Sequence, residues 1–271
     1  MRPIGVFDSG IGGLTVVKAL RDLLPGEEIF YIGDTARLPY GTKSASTVER
    51  YSFEIADMLL AENAKMIVVA CNTASAIALP HLQEKLSVPI VGVIQPGAVA
   101  AASATKNGHV GVIGTRATIK SCAYETALRA IDKNLRIIAR ACPLLVPLIE
   151  EGWLRDDVTD RTIARYLAPL VDSGIDTLVL GCTHYPLLHD AFSRFLGPEV
   201  NLVDSAQNCA RTVAQLLDEK RLAATDRTQA AGLTVALTDK PDAFLDIARE
   251  SLQLELGEIL VRDPAEQWRH R

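Results

Sequence analysis

Two cysteines 111 residues apart sit in matching surroundings, Ile67-Val68-Val69-Ala70-Cys71-Asn72-Thr73 and Leu178-Val179-Leu180-Gly181-Cys182-Thr183-His184. Each follows a short aliphatic run and precedes polar residues. A cysteine after an apolar strand is more often a small buried hydrophobe than a reactive group, but core packing does not require the whole setting to recur. Polar residues at a strand end cap the next helix, and the same free N–H groups and hydroxyls also hold a carboxylate. Disulfide exchange would want the thiols adjacent in a Cys-x-x-Cys turn; hydrolysis would want one thiol, one His and an oxyanion hole. Two equivalent thiols suit a symmetric reaction. One thiolate removes a proton from a carbon, the opposite thiol returns one to the other face, and the stereocentre inverts. A free Cys ionises near pH ~8.5, so modest tuning leaves one member of a pair charged and the other protonated.

His184, two residues beyond Cys182, can share a proton with that thiol and hold its ionised state. Asp8 and Ser9 end the first apolar run in Phe7-Asp8-Ser9-Gly10-Ile11-Gly12-Gly13. Their bland role is a helix cap before a flexible turn; their functional role is for Asp8 to serve Cys71 as His184 serves Cys182. The glycines also suggest a nucleotide-binding module in which the cysteines are structural, with Asp34 as the ribose acid. The dinucleotide fingerprint needs Gly or Ala at its sixth position, and Thr15 stands there.

These residues must be positioned by β-α units. Apolar runs bounded by Gly, Asp or Asn predict strands at 4–7, 29–33, 66–70, 90–94, 110–113, 136–140, 177–181 and 200–203, a pattern of parallel sheets flanked by helices. Val48, Tyr51, Ile55 and Leu59 mark one helix face behind a Ser46-x-x-Glu49 capping box. Ile163, Tyr166, Leu167 and Leu170 mark another, and Pro241 with Phe244, Leu245 and Ala248 a third. Gly5-Val6-Phe7-Asp8-Ser9 is echoed by Gly111-Val112-Ile113-Gly114-Thr115 at a spacing of 106 residues. Two echoes at similar spacing imply two homologous halves related by a pseudo-two-fold axis, with the site in the cleft between them. The expected fold is thus α/β with two pseudo-symmetric domains. Residues 1–96 plus 208–271 supply Asp8 and Cys71, with the run Leu233–Leu237 returning as a strand, and 97–207 supply Cys182 and His184. The segments 221–231 and beyond 252 follow no assignable pattern.

Composition narrows the partners. A net charge of −5 disfavours nucleic acid and anionic membrane surfaces, which need clustered Lys and Arg, and favours a small molecule. No run approaches the ~18 apolar residues of a membrane span, and the start is too short for a signal peptide, so the expected location is the cytoplasm. Five cysteines without a Cys-x-x-Cys pair point to free thiols and to neither a disulfide framework nor a metal site. Cys122, Cys142 and Cys209 read as packing residues.

The motifs resemble those of glutamate racemase, in the aspartate/glutamate racemase superfamily. They are Phe7 to Val16, the run Gly33-Asp34-Thr35-Ala36-Arg37-Leu38-Pro39-Tyr40-Gly41, Ala70 to Ala74, and Leu180 to Leu188, with weaker matches at Val146 to Gly152 and Val203 to Ala206. The resemblance implies racemisation of glutamate without a cofactor, supplying D-glutamate for peptidoglycan, in an enzyme that works as a homodimer. It implies Cys71 as the base for D-glutamate and Cys182 as the base for L-glutamate, assisted by Asp8 and His184. Substrate contacts are implied at Asp8, Ser9, Tyr40, Gly41, Asn72, Thr73, Thr183, His184, Thr115 and Thr118. Aspartate racemase, with the same thiol chemistry on a shorter substrate, is the neighbouring alternative.

Overall fold

Short runs rich in Val and Ile become the strands of two parallel sheets in a computed structural model that describes residues 2–225, 230–239, 252–256 and 259–264. The strands are β1 (Ile4–Asp8), β2 (Ile29–Gly33), β3 (Met66–Val69), β4 (Ile90–Gly92), β5 (His109–Gly114), β6 (Arg136–Ala141), β7 (Thr177–Gly181), β8 (Asn201–Asp204), β9 (Leu233–Leu237) and β10 (Ile259–Val261). Each expected strand is present to within two residues, the usual uncertainty of element ends. One sheet runs β10-β9-β2-β1-β3-β4 and the other β6-β5-β7-β8. The shared order β2-β1-β3-β4 and β6-β5-β7-β8 is the structural form of the sequence echo. The first sheet differs in carrying β9 beside β2 and β10 beyond it. Every residue of β1, β2, β3 and β7 is buried, as parallel strands covered on both faces require.

The helices are α1 (Leu14–Leu23), α2 (Ala45–Ala61), α3 (Asn72–Ile77), α4 (Leu79–Lys85), α5 (Ile94–Ala104), α6 (Arg116–Lys120), α7 (Ala123–Ile131), α8 (Leu145–Glu150), α9 (Asp157–Asp172), α10 (His189–Leu196) and α11 (Ser205–Glu219). The expected domain limits, 96/97 and 207/208, fall inside α5 and α11. Both helices join the halves: α5 packs on β7 and α7, and α11 packs on α5, on α1 and on β4. One apolar core accordingly runs from Ile4, Val6 and Val68 to Leu178 and Leu180.

The cap of α2 is Ser44, whose extended backbone aims its hydroxyl at the free Thr47 N–H, 3.2 Å away; Ser46 lies inside the helix. Cys122 is not a packing residue, because it is exposed and stands before α7 with φ of 55°, whereas Cys142 and Cys209 are buried as expected. The helix expected after Pro241 lies outside the described residues. Part of the unassigned segment is fastened beneath the first sheet. The buried pair Lys65 and Glu27, 2.5 Å apart, binds the Leu222 carbonyl at 2.8 Å and the Ala224 N–H at 2.6 Å.

Candidate active site

Parallel strands send their carboxyl ends, and the loops that follow, to one edge of each sheet. Asp8, Cys71, Thr115 and Cys182 all lie there, at or just beyond the ends of β1, β3, β5 and β7. Cys71 caps α3, its sulfur accepting the Ala74 N–H at 3.5 Å. The Cys71 thiol also donates to the Ser9 hydroxyl at 3.6 Å. Burial pushes this thiol up to about 12, reinforced by the charge of Asp8 and opposed by Ala74 and Ser9.

Opposite stands a different constellation. Cys182 Sγ is 3.9 Å from His184 Nδ1, and His184 Nε2 is 3.2 Å from Glu150 Oε1. Burial alone would lower the imidazole pKa, but interactions with Cys182, Glu150 and Asp8 outweigh it and raise it to about 10. His184 is therefore held as imidazolium at neutral pH.

Asp8 lies between these groups, fully buried. One carboxylate oxygen accepts the Gly10 N–H at 3.0 Å, the other the Thr183 hydroxyl at 3.3 Å. Burial raises its pKa, while the His184 charge and the Gly10 and Gly13 N–H groups pull it back. Asp8, expected to serve Cys71, acts on that thiol through its charge, while its side-chain bond crosses to the Cys182 loop and Ser9 makes the hydrogen bond to the Cys71 thiol. Gly12 permits that crossing: a Cβ there would lie 2.5 Å from His184 Nδ1 and 2.7 Å from Thr183 Oγ1.

The two thiols share one cavity, lined also by Ser9, Tyr40, Gly41, Asn72, Thr73, Thr115, Thr183 and His184. Of the residues singled out from sequence, Asp8 and Thr118 lie behind this wall. Thr118 completes a triangle of hydroxyls with Thr73 and Thr115, with sides of 2.9, 3.0 and 3.1 Å, that bridges the halves. Tyr40 turns its hydroxyl away to bond Asp34, so it offers the cavity its ring and backbone. Asp34, weighed as a ribose acid, is buried and bonded to Arg37, Tyr40 and Thr238. The cavity volume is about 30 Å³, room for about two waters.

Sequence reasoning missed Glu150, the partner of His184, and the apolar wall of Leu38, Pro39 and Val146. The resemblance at Val146 to Gly152 implies no role for any one residue, and it is the available signal for Glu150.

Residues 14–213, which span most of both α/β halves and the cleft between them, match the Asp/Glu/Hydantoin racemase family. A glutamate racemase of Geobacter metallireducens is 50% identical over 258 residues, 95% of each chain. Among solved structures, a glutamate racemase isoform from Bacillus anthracis superposes with a TM-score of 0.92 at 40% identity over 97% of both chains. The Francisella tularensis glutamate racemase, solved with D-glutamate, gives 0.91 at 37% identity over 98% of both. The chain belongs to this family and, within it, to the glutamate racemases; it is an isomerase. No helix among the described residues is long and apolar enough to cross a membrane.

Proposed function

We propose that the chain interconverts L- and D-glutamate with Cys71 and Cys182 as the opposed acid and base. The observation that carries this is the pair of thiols lining one cavity from equivalent strand ends of the two halves. In the L-to-D direction the Cys182 thiolate takes the α-proton, leaving a planar carbanion. The Cys71 thiol then protonates the opposite face, so one S–H bond forms, one breaks, and the charge passes between sulfurs. The reverse reaction exchanges the roles. Ser9, Asn72, Thr73 and Thr183, with the backbone at Tyr40 and Gly41, supply donors for two carboxylates; Thr115 and Thr118 hold Thr73 through the hydroxyl triangle. Asp8 and His184 assist the proton transfers. The reaction needs no cofactor. It runs in the cytoplasm, in a homodimer of chains with domains at 1–96 plus 208–271 and at 97–207, and supplies D-glutamate for peptidoglycan.

Labelling tests the two-base step. With L-glutamate in D₂O stopped early, the first D-glutamate carries deuterium at Cα, because Cys71 has exchanged with solvent. Residual L-glutamate keeps its hydrogen, because Cys182 returns the proton it removed. A single base that swings between faces would carry hydrogen across. Mass spectrometry of the separated enantiomers decides, and early D-product retaining its original hydrogen overturns the mechanism.

A further inference from the structure

We propose that Tyr124 is a positioning residue, its hydroxyl fixing the Asn72 amide for substrate while its ring braces the loop of the second thiol. The proposal rests on the reading of Asn72 as a glutamate contact. Tyr124 is on α7 in the second half, 1% exposed. Its hydroxyl donates across the interface to Asn72 Oδ1 at 2.6 Å, and Asn72 is the residue after Cys71. The Ser205 side chain, first in α11, bonds the same hydroxyl. With Ser205 donating to its oxygen, the Tyr124 proton is directed at Asn72. Burial pushes Tyr124 ionisation up, so it remains a donor across the physiological range.

The consequence falls on the other end of the amide. Asn72 Nδ2 is buried and has no hydrogen-bond partner among the described residues, although Asn72 lines the cavity. A buried amide N–H without a partner is uncommon in a folded protein and calls for an acceptor supplied from elsewhere. A substrate carboxylate is such an acceptor. An Asn whose oxygen is not held is free to turn end for end and present that oxygen to the carboxylate, which repels it. Tyr124 removes the wrong orientation before substrate arrives. Its ring also lies against the loop of the other thiol, since a Cβ on Gly181 would stand 3.0 Å from Tyr124 Cε2, and Gly181 precedes Cys182. One side chain therefore bonds the residue after Cys71 and occupies the space beside the residue before Cys182.

The test is a set of single and double variants, read as KM and kcat for both enantiomers. Tyr124→Phe keeps the ring and removes the hydroxyl. It should raise KM roughly tenfold in both directions, the scale of one hydrogen bond to a charged group, with kcat within about twofold and a melting midpoint lowered by only a few degrees for the lost buried bonds. Asn72→Ala should raise KM at least as much, and the double variant should be no worse than Asn72→Ala alone. An unchanged KM in Tyr124→Phe beside a raised KM in Asn72→Ala overturns the role of Tyr124 and leaves that of Asn72. An unchanged KM in Asn72→Ala overturns the reading beneath it. Additive effects, or a loss of kcat that follows a lowered melting point, reduce Tyr124 to a packing residue. Should Tyr124→Phe not fold, Ser205→Ala leaves both partners in place and should raise KM roughly threefold; no change there overturns the proposal.

Discussion

Cys71 and Cys182 follow equivalent strands, β3 and β7, yet the groups around them differ in charge and kind. Cys71 faces a backbone N–H, a serine hydroxyl and the field of Asp8, and burial holds its proton on. Cys182 faces His184, kept protonated beside Glu150, which supplies a countercharge for a sulfur anion. The backbone repeat accounts for the symmetry of position; side chains that do not repeat account for the asymmetry of charge. A reversible proton transfer uses both. Opposed placement lets the stereocentre invert, and unequal company gives each sulfur its own partners for the proton transfer.

The largest expected effect ignores the asymmetry. Cys71→Ser and Cys182→Ser should each lower racemisation by at least ~10³-fold, because an alcohol is too weak an acid to ionise near neutrality. Chiral chromatography with circular dichroism as the folding control checks this; a well-folded variant retaining activity removes that cysteine from the mechanism. A smaller effect breaks the symmetry. His184→Asn should slow turnover of L-glutamate more than of D-glutamate, and Asp8→Asn the reverse, each by about 10²-fold in its favoured direction. Equal losses in both directions would mean that these residues serve the thiols jointly, as the Asp8 to Thr183 bond allows.

The smallest effect sharpens the comparison on the Cys182 side. Removing the Glu150 charge by Glu150→Gln should cost roughly tenfold in turnover and move the alkaline limb of the pH profile to lower pH. The sign follows from linkage. The His184 pKa is raised from 6.5 to about 10, so its contribution to stability is complete below the unfolded value and is lost as pH rises through the folded one. Thermal unfolding of the parent chain should show that decline between these limits, and Glu150→Gln should show a shallower one. An unchanged slope would mean that Glu150 does not hold the His184 proton.

Several readings needed only local rules. Buried parallel strands are runs of Val and Ile broken by Gly or Asp, and that signal requires no knowledge of partners. The recurrence of a strand, a Cys and a polar turn predicted both the paired sheets and the facing thiols, since like sequences fold alike. The glycine loop was harder to read. Gly10 to Gly13 fits a nucleotide turn as well as a turn that lets Thr183 and His184 approach, and the distance from a Gly12 Cβ to His184 separates the two only after folding. Ser44 and Ser46 likewise both satisfy a capping pattern, and backbone geometry selects Ser44.

What the chain determined by itself was therefore periodic or repeated: the strands, their grouping into two like halves, and the two cysteines at matching ends. Tertiary structure alone decided which unlike groups meet. Glu150 and His184 are 34 residues apart in sequence, Tyr124 and Asn72 are 52 apart, and neither pair has a spacing that local sequence rules interpret. Their meeting depends on how α7 and α8 pack over the strand ends. That packing is set by the summed burial of many apolar residues, among which no one polar pair leaves a local trace.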